Sequence, residues 1–212
     1  MSDLNPELPP EPDPTHFTLG GYASGSGAIE GVSFWPRVAA RLIDIVVMTG
    51  LGSIAGAIFG VVLVIVATIL RQPQAALAAK YHRAGIAVFI FTLLAGVAYH
   101  TICEGLHGST VGKLALKMVV VREDGTECHP VAALKRSVAY FFDALIFGLI
   151  GYMVMKKTAQ EQRYGDRWAH TIVCKRTAVA PQYLRGSGRF ATVLLLAAMA
   201  NIGLVIVGLL LT

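Results

Sequence analysis

Apolar residues in this chain run together rather than alternate with polar ones. Residues 38–70 read VAARLIDIVVMTGLGSIAGAIFGVVLVIVATIL, with charge only at Arg41 and Asp44. A bilayer's hydrocarbon core is about 30 Å thick and takes about 20 helical residues to cross, so this run predicts a transmembrane helix with residues left for the interface. The runs at about 84–104 and 190–212 predict two more. A fourth, VAYFFDALIFGLIGYMVM at 138–155, is shorter, contains Asp143 and carries Gly148 and Gly151 in its middle. It crosses, lies at the surface, or enters and turns back, and a turn is acceptable only where protein or water covers its backbone. The pattern predicts an all-α integral membrane protein with three transmembrane helices and one short re-entrant or interfacial segment.

Composition supports that class: 55% of the residues are hydrophobic and 15% charged, too apolar for an ordinary soluble domain of this length. Residues 1–33 differ in kind. They hold Asp3, Glu7, Glu11, Asp13 and Glu30 with no Lys or Arg, among many Pro and Gly, and predict a disordered acidic tail. The tail has no basic start and no apolar stretch, so the first helix itself directs insertion. Residues 34–177 then form the membrane domain, 178–189 a basic linker, and 190–212 a C-terminal helix. Cys103, Cys128 and Cys174 lack C-x-x-C spacing, which argues against a zinc ribbon and a disulfide framework and leaves them reduced and incidental. No cofactor is implied.

Charge distinguishes the topologies. If all four runs cross, the 18 Lys and Arg divide weakly between the two sides. If the fourth run returns to its own side, only Arg71, Lys80 and Arg83 fall opposite the rest, which is the cytoplasmic excess expected of short loops. That arrangement puts the N-terminus in the cytoplasm, with the chain multi-pass in the membrane.

Charges also enter the apolar runs in a repeated pattern. RVAARLID, Arg37 to Asp44, and RSVAYFFD, Arg136 to Asp143, share Arg-x-x-Ala-x-x-x-Asp. CEGLHGSTVGKLALKMVVVREDG, Cys103 to Gly125, places acidic Glu104 before Thr-Val-Gly-Lys and a Val-rich run. QRYGDRWAHTIVCKR, Gln162 to Arg176, centres on Gly-Asp166. In these three ordered motifs residues 34–176 resemble the RDD family of bacterial integral membrane proteins, named for one arginine and two aspartates. His170 stands where the family usually has glycine, and Leu114 where a second basic residue is common. The resemblance implies a transport-related role, some members being reported to exchange sodium or related cations for protons.

Seven helical residues rise about 10.5 Å and turn about 700°, so Arg37 and Asp44 share a face but stand too far apart for a relaxed pair. Arg41 is the nearer local partner of Asp44. Asp143 has no base one turn earlier, so Arg37 or Arg41 of the other entry is its natural partner. Asp166, an acid in a basic loop, pairs with Arg163 or Arg167, or reaches Arg37 or Arg41. A charge at the centre of a membrane helix costs about 2.5–3.5 kcal/mol and faces other helices or a watery cavity. Two readings follow. Asp44 or Asp143 binds a monovalent cation and releases a proton, with a neighbouring Arg tuning it; or the cluster of Arg37, Arg41, Asp44, Glu104, Arg136, Asp143 and Asp166 only fixes helix packing.

Other motifs are weaker. His100, Glu104 and His107 share a helical face, but Gly105 and Gly108 end the helix there and no metal site is expected. GSTVGK, Gly108 to Lys113, is one residue short of a phosphate-binding loop and has Leu114 in the hydroxyl position. Gly52, Gly56 and Gly60 form a double G-x-x-x-G ridge suited to close helix packing or a homo-oligomer, which a transporter of this size would need. The basic stretch from Lys156 to Arg189 meets anionic lipid headgroups rather than nucleic acid. With no converging nucleophile, base and orienting group, an enzyme is not expected. Transport, possible as cation/proton exchange, stands against a non-transporting accessory or scaffold protein.

Overall fold

The computed structural model describes residues 29–71, 85–144 and 148–210. The acidic tail up to residue 28, and Lys80 and Arg83, lie outside the described residues. The chain forms α1 (Phe34–Ile69), α2 (Gly85–His107), a short α3 (Val111–Ala115), strand β1 (Met118–Arg122), α4 (Pro130–Asp143), α5 (Leu149–Lys156), a short α6 (Tyr164–Trp168), strand β2 (Thr171–Lys175) and α7 (Ser187–Leu210). Among the described residues, three helical stretches are long and apolar enough to cross a membrane: Phe34–Ile69, Phe89–His107 and Pro181–Gly208. At 1.5 Å per residue α1 is about 54 Å long, well beyond a bilayer core.

The run at 138–155 is not one helix. It is the end of α4 and the start of α5, separated by a break where Gly148 takes a left-handed φ of 85°, a conformation that costs glycine nothing. Neither piece is long enough to cross. Proline at the first turn starts α4 where its missing N–H has no cost. Its faces are inverted relative to a soluble helix: Ala133, Arg136, Ala139 and Asp143 point inward, while Val131, Leu134, Val138, Phe141 and Phe142 are exposed. A helix that hides its charges and shows its apolar side suits contact with lipid.

A feature the hydropathy pattern did not set out is the antiparallel pair β1 and β2, in register Met118↔Lys175 through Val120↔Val173 to Arg122↔Thr171. Both faces are covered, so both strands read as near-continuous β-branched runs, like strands buried in a larger sheet. One face packs with Val32, Ala40, Cys128 and Ala133, the other with Val179 and its neighbours Ile29, Tyr183 and Leu184. The Val32 amide donates to the Val173 carbonyl at 2.7 Å, tying the start of α1 to the ribbon. Along the other long contact, α7 lies against α2 around Tyr99, Cys103, Val193 and Ala197.

The ribbon relates two similar units. In the first, α3 packs on α1 and leads into β1; in the second, α6 packs on α4 and leads into β2. Each short helix has five residues, is preceded by an extended N-cap (Thr110, Arg163), and is followed by a residue with positive φ (Lys117 at 55°, His170 at 51°) before the strand begins. Each also carries a glycine against the alanine of the Arg-x-x-Ala-x-x-x-Asp motif. A Cβ on Gly112 would stand 2.0 Å from the Ala40 carbonyl oxygen, and one on Gly165 would stand 2.9 Å from the Ala139 Cβ. The repeated motif is therefore a docking face for a glycine, with its Arg and Asp on either side.

Candidate functional site

The two motif arginines converge on one carboxylate. Arg37 meets Asp166 at 2.5 Å, donates from Nε to the Val32 carbonyl at 2.7 Å and from its other terminal nitrogen to the Glu161 carbonyl at 2.8 Å. Arg136 binds the second Asp166 oxygen, the Thr171 hydroxyl at 2.8 Å and Glu104 at 3.0 Å. Glu104 also pairs with Lys113. Arg37, Asp166, Arg136, Glu104 and Lys113 thus form one continuous buried chain of alternating charge. Burial alone would raise the Asp166 pKa, but Arg136, Arg37 and Arg163 overcome it and hold the carboxyl well below the usual range. For Lys113 burial wins over Glu104, lowering its pKa to about 8.

The motif aspartates find different partners from those the spacing suggested. Asp44 accepts from the Tyr99 hydroxyl at 3.0 Å, the Thr110 hydroxyl at 2.7 Å and the Gly112 amide at 2.8 Å. Arg41 is not its partner: the Arg41 guanidinium lies 4.1 Å from the Tyr140 ring centroid and its terminal nitrogen meets His100. Nor does Asp143 meet Arg37 or Arg41. One of its oxygens accepts the Gly165 amide at 3.4 Å, and the other, Oδ1, has no hydrogen-bond partner among the described residues. The expected crossed exchange, Arg of one entry with Asp of the other, is replaced by both arginines on Asp166 and each Asp on the glycine amide of its own unit. The close glycine contact delivers a backbone N–H to each Asp, from Gly112 to Asp44 at 2.8 Å and from Gly165 to Asp143 at 3.4 Å.

The residues 32–170 match the RDD family. The chain belongs to the RDD family. No curated protein and no solved structure matches it significantly. Within the RDD domain lie Arg37, Arg41, Asp44, Glu104, Arg136, Asp143 and Asp166, whereas α7 follows the matched region. This is an RDD family membrane protein with apolar helices in contact with the bilayer.

Two cavities adjoin the RDD cluster. One, of about 230 Å³, lies between α1, α2 and α4 and is lined by Arg41, Asp44, His100, Glu104, Tyr140 and Arg163 among others. The second, of about 440 Å³, lies between α4, α5 and α6 with Phe142, Asp143, Tyr164 and Trp168 in its wall. Burial raises the Asp143 pKa above its ordinary value of 3.8, against the opposing charge of Arg163.

Of the residues expected to cluster, the structure brings Arg37, Glu104, Arg136 and Asp166 into contact. Sequence reasoning missed Lys113 as the second base on Glu104, and Tyr99 and Thr110 as the shell of Asp44. Lys113 and Thr110 both lie in GSTVGK, where Thr110 serves as the N-cap, accepting from the Lys113 amide at 3.3 Å. Gly52, Gly56 and Gly60 meet nothing within 4 Å of a Cβ position among the described residues, so this ridge takes no part in packing within the protomer. His107 stacks on Phe190 at 4.7 Å instead of turning toward His100 and Glu104.

Proposed function

We propose that this RDD protein exchanges monovalent cations for protons across the bacterial cytoplasmic membrane, with its N-terminus on the cytoplasmic side. The observation that carries the reading is Asp143: a buried carboxyl with one unpartnered oxygen beside a cavity, in a cluster whose other acids are saturated. A carboxylate takes either a proton or a monovalent cation, and exchanging one for the other leaves the net charge of the site unchanged. Asp44, held by three neutral donors, is the second candidate carrier. The ion chain around Asp166 supplies the rigid frame. The protein acts as a homo-oligomer through the outward Gly52, Gly56, Gly60 ridge, and the basic stretch Lys156 to Arg189 rests on anionic headgroups.

The test is cation-induced proton movement in proteoliposomes, with Asp143→Asn and Asp44→Asn compared with wild type after each is checked for folding. Sodium, lithium, potassium or tetrabutylammonium dissipating an imposed pH gradient with wild type alone supports exchange. Silence over a broad pH range removes it.

The second reading, a non-transporting accessory or scaffold protein, draws on the ion chain itself, in which Arg37, Asp166, Arg136, Glu104 and Lys113 are all paired. Such closure is what helix packing alone would require. Silent proteoliposomes combined with destabilised variants would favour it.

A further inference from the structure

The cavity beside Asp143 has a chemistry that narrows the cation, and the inference rests on the exchange reading above. We propose that the space between α4, α5 and α6 takes an amphiphilic organic ammonium ion, held by the Asp143 carboxylate and the rings of Phe142, Tyr164 and Trp168. At about 440 Å³ the cavity is of a size that holds a small organic molecule. Its other walls, Ala139, Ile150 and Val154, are apolar. A hard inorganic cation needs a shell of oxygen ligands, and this lining offers it one carboxylate and one phenol hydroxyl. An ammonium bearing carbon substituents needs no such shell. It is satisfied by one negative charge and by aromatic faces, whose quadrupoles attract cations within about 6 Å.

One feature besides the shape of the cavity points to an occupant. The Asp143 side chain is 4% exposed, yet its Oδ1 has no partner, an arrangement that is costly unless something fills it. Lys135 Nζ lies 5.8 Å from the Trp168 centroid, so a bound ammonium uses the rest of the aromatic lining and the other face of that ring. Access comes from the apolar exterior, because Phe142, Tyr164 and Trp168 are 61%, 56% and 49% exposed, and α4 presents its apolar side there. The charged groups around Asp143 are Arg163 and Asp166 on the α6 side and Lys135 on α4 next to Trp168. The ammonium pairs with the ionised Asp143 carboxylate, so binding displaces a proton to water wherever the carboxyl holds one.

The experiment is equilibrium dialysis of radiolabelled tetrabutylammonium against the full chain in phosphatidylglycerol nanodiscs, with empty discs subtracted. Wild type binds saturably. Asp143→Asn, nearly isosteric, weakens binding about tenfold or more, and Trp168→Ala, at a half-exposed position, weakens it severalfold while Trp168→Phe retains it. Phosphatidylethanolamine in the discs distinguishes the source: competition identifies a lipid amine as the occupant, and its absence a freely diffusing ammonium. Absence of saturable binding by wild type, or equal binding by Asp143→Asn, overturns the inference. If sodium still moves protons in that case, exchange stands and the organic ammonium falls. Binding without proton movement leaves the site and removes exchange.

Discussion

The two units joined by the β1–β2 ribbon share a backbone plan and differ in how their aspartates are finished. In the first, α2 is long enough to bring Tyr99 onto Asp44, and Thr110 caps α3 with a hydroxyl that reaches the same carboxylate. In the second, α5 has eight residues, Arg163 stands at the cap position, and Asp143 takes backbone amides of α6, that of Gly165 at 3.4 Å, with Oδ1 unpartnered among the described residues. The residue after each glycine also differs in sign: Lys113 in one unit, Asp166 in the other. Asp166 gathers both arginines, while Lys113 requires Glu104 to join it to Arg136. One plan thus yields a saturated half and an open half. An identical scaffold does not imply an identical role, because the polar finish depends on side chains supplied by neighbouring elements.

The largest expected break in this comparison is Asp166→Ala, which leaves Arg37 and Arg136 buried without their shared partner. Losing one side of a buried ion pair costs about 3–5 kcal/mol, so thermal unfolding in mild detergent should show a large drop in Tm or a loss of folded yield. Asp143→Ala should cost much less, since that carboxyl has no ion pair to lose.

Next come the glycines. Gly112→Ala and Gly165→Ala both overpack the helix contact, at about 1–3 kcal/mol. Gly112 should be the worse of the two, because its Cβ would strike a backbone carbonyl and that of Gly165 a side-chain methyl. Equal losses in chemical denaturation would contradict the close approach drawn for α1 and α3.

Tyr99→Phe removes one donor from Asp44 and should cost about 1–3 kcal/mol, the penalty of leaving a buried acceptor short of a partner. It makes the first unit resemble the second. If its stability is unchanged, the Asp44 shell is not what separates the halves.

The smallest effect is on pH dependence, and it has opposite signs in the two acids. The Asp166 pKa is depressed, so its contribution is present above the ordinary aspartate range and is lost as pH falls through the folded value. The Asp143 pKa is raised above 3.8, so its contribution is full below that value and is lost as pH rises through the folded value. Asp143→Asn should therefore flatten the decline in stability on the upper side of that window. Thermal scans across pH 4 to 8 at fixed detergent and salt, about 0.1 M so that exposed charges are screened, will show whether it does.

Membrane class and the three helices long and apolar enough to cross were legible in the chain, because hydropathy and segment length are local properties that the bilayer reads directly; the sequence left open whether 138–155 crosses. The repeated Arg-x-x-Ala-x-x-x-Asp motif was legible as well, and so was its placement of charge at helix entries. Which Arg met which Asp was not. Arg37 and Asp166 are 129 residues apart, Asp44 and Gly112 68 apart, and the choice depended on two five-residue helices whose backbone amides reached the aspartates first. The β-ribbon was hidden for a related reason: its strands are short, apolar on both faces and paired at a distance, Arg122 and Thr171 being 49 residues apart and Met118 and Lys175 57 apart. Sequence by itself determined what had to be buried in lipid and what had to be kept from it. The tertiary structure decided the partners, because partner choice in a buried cluster is set by which donors the packed backbones bring within about 3 Å.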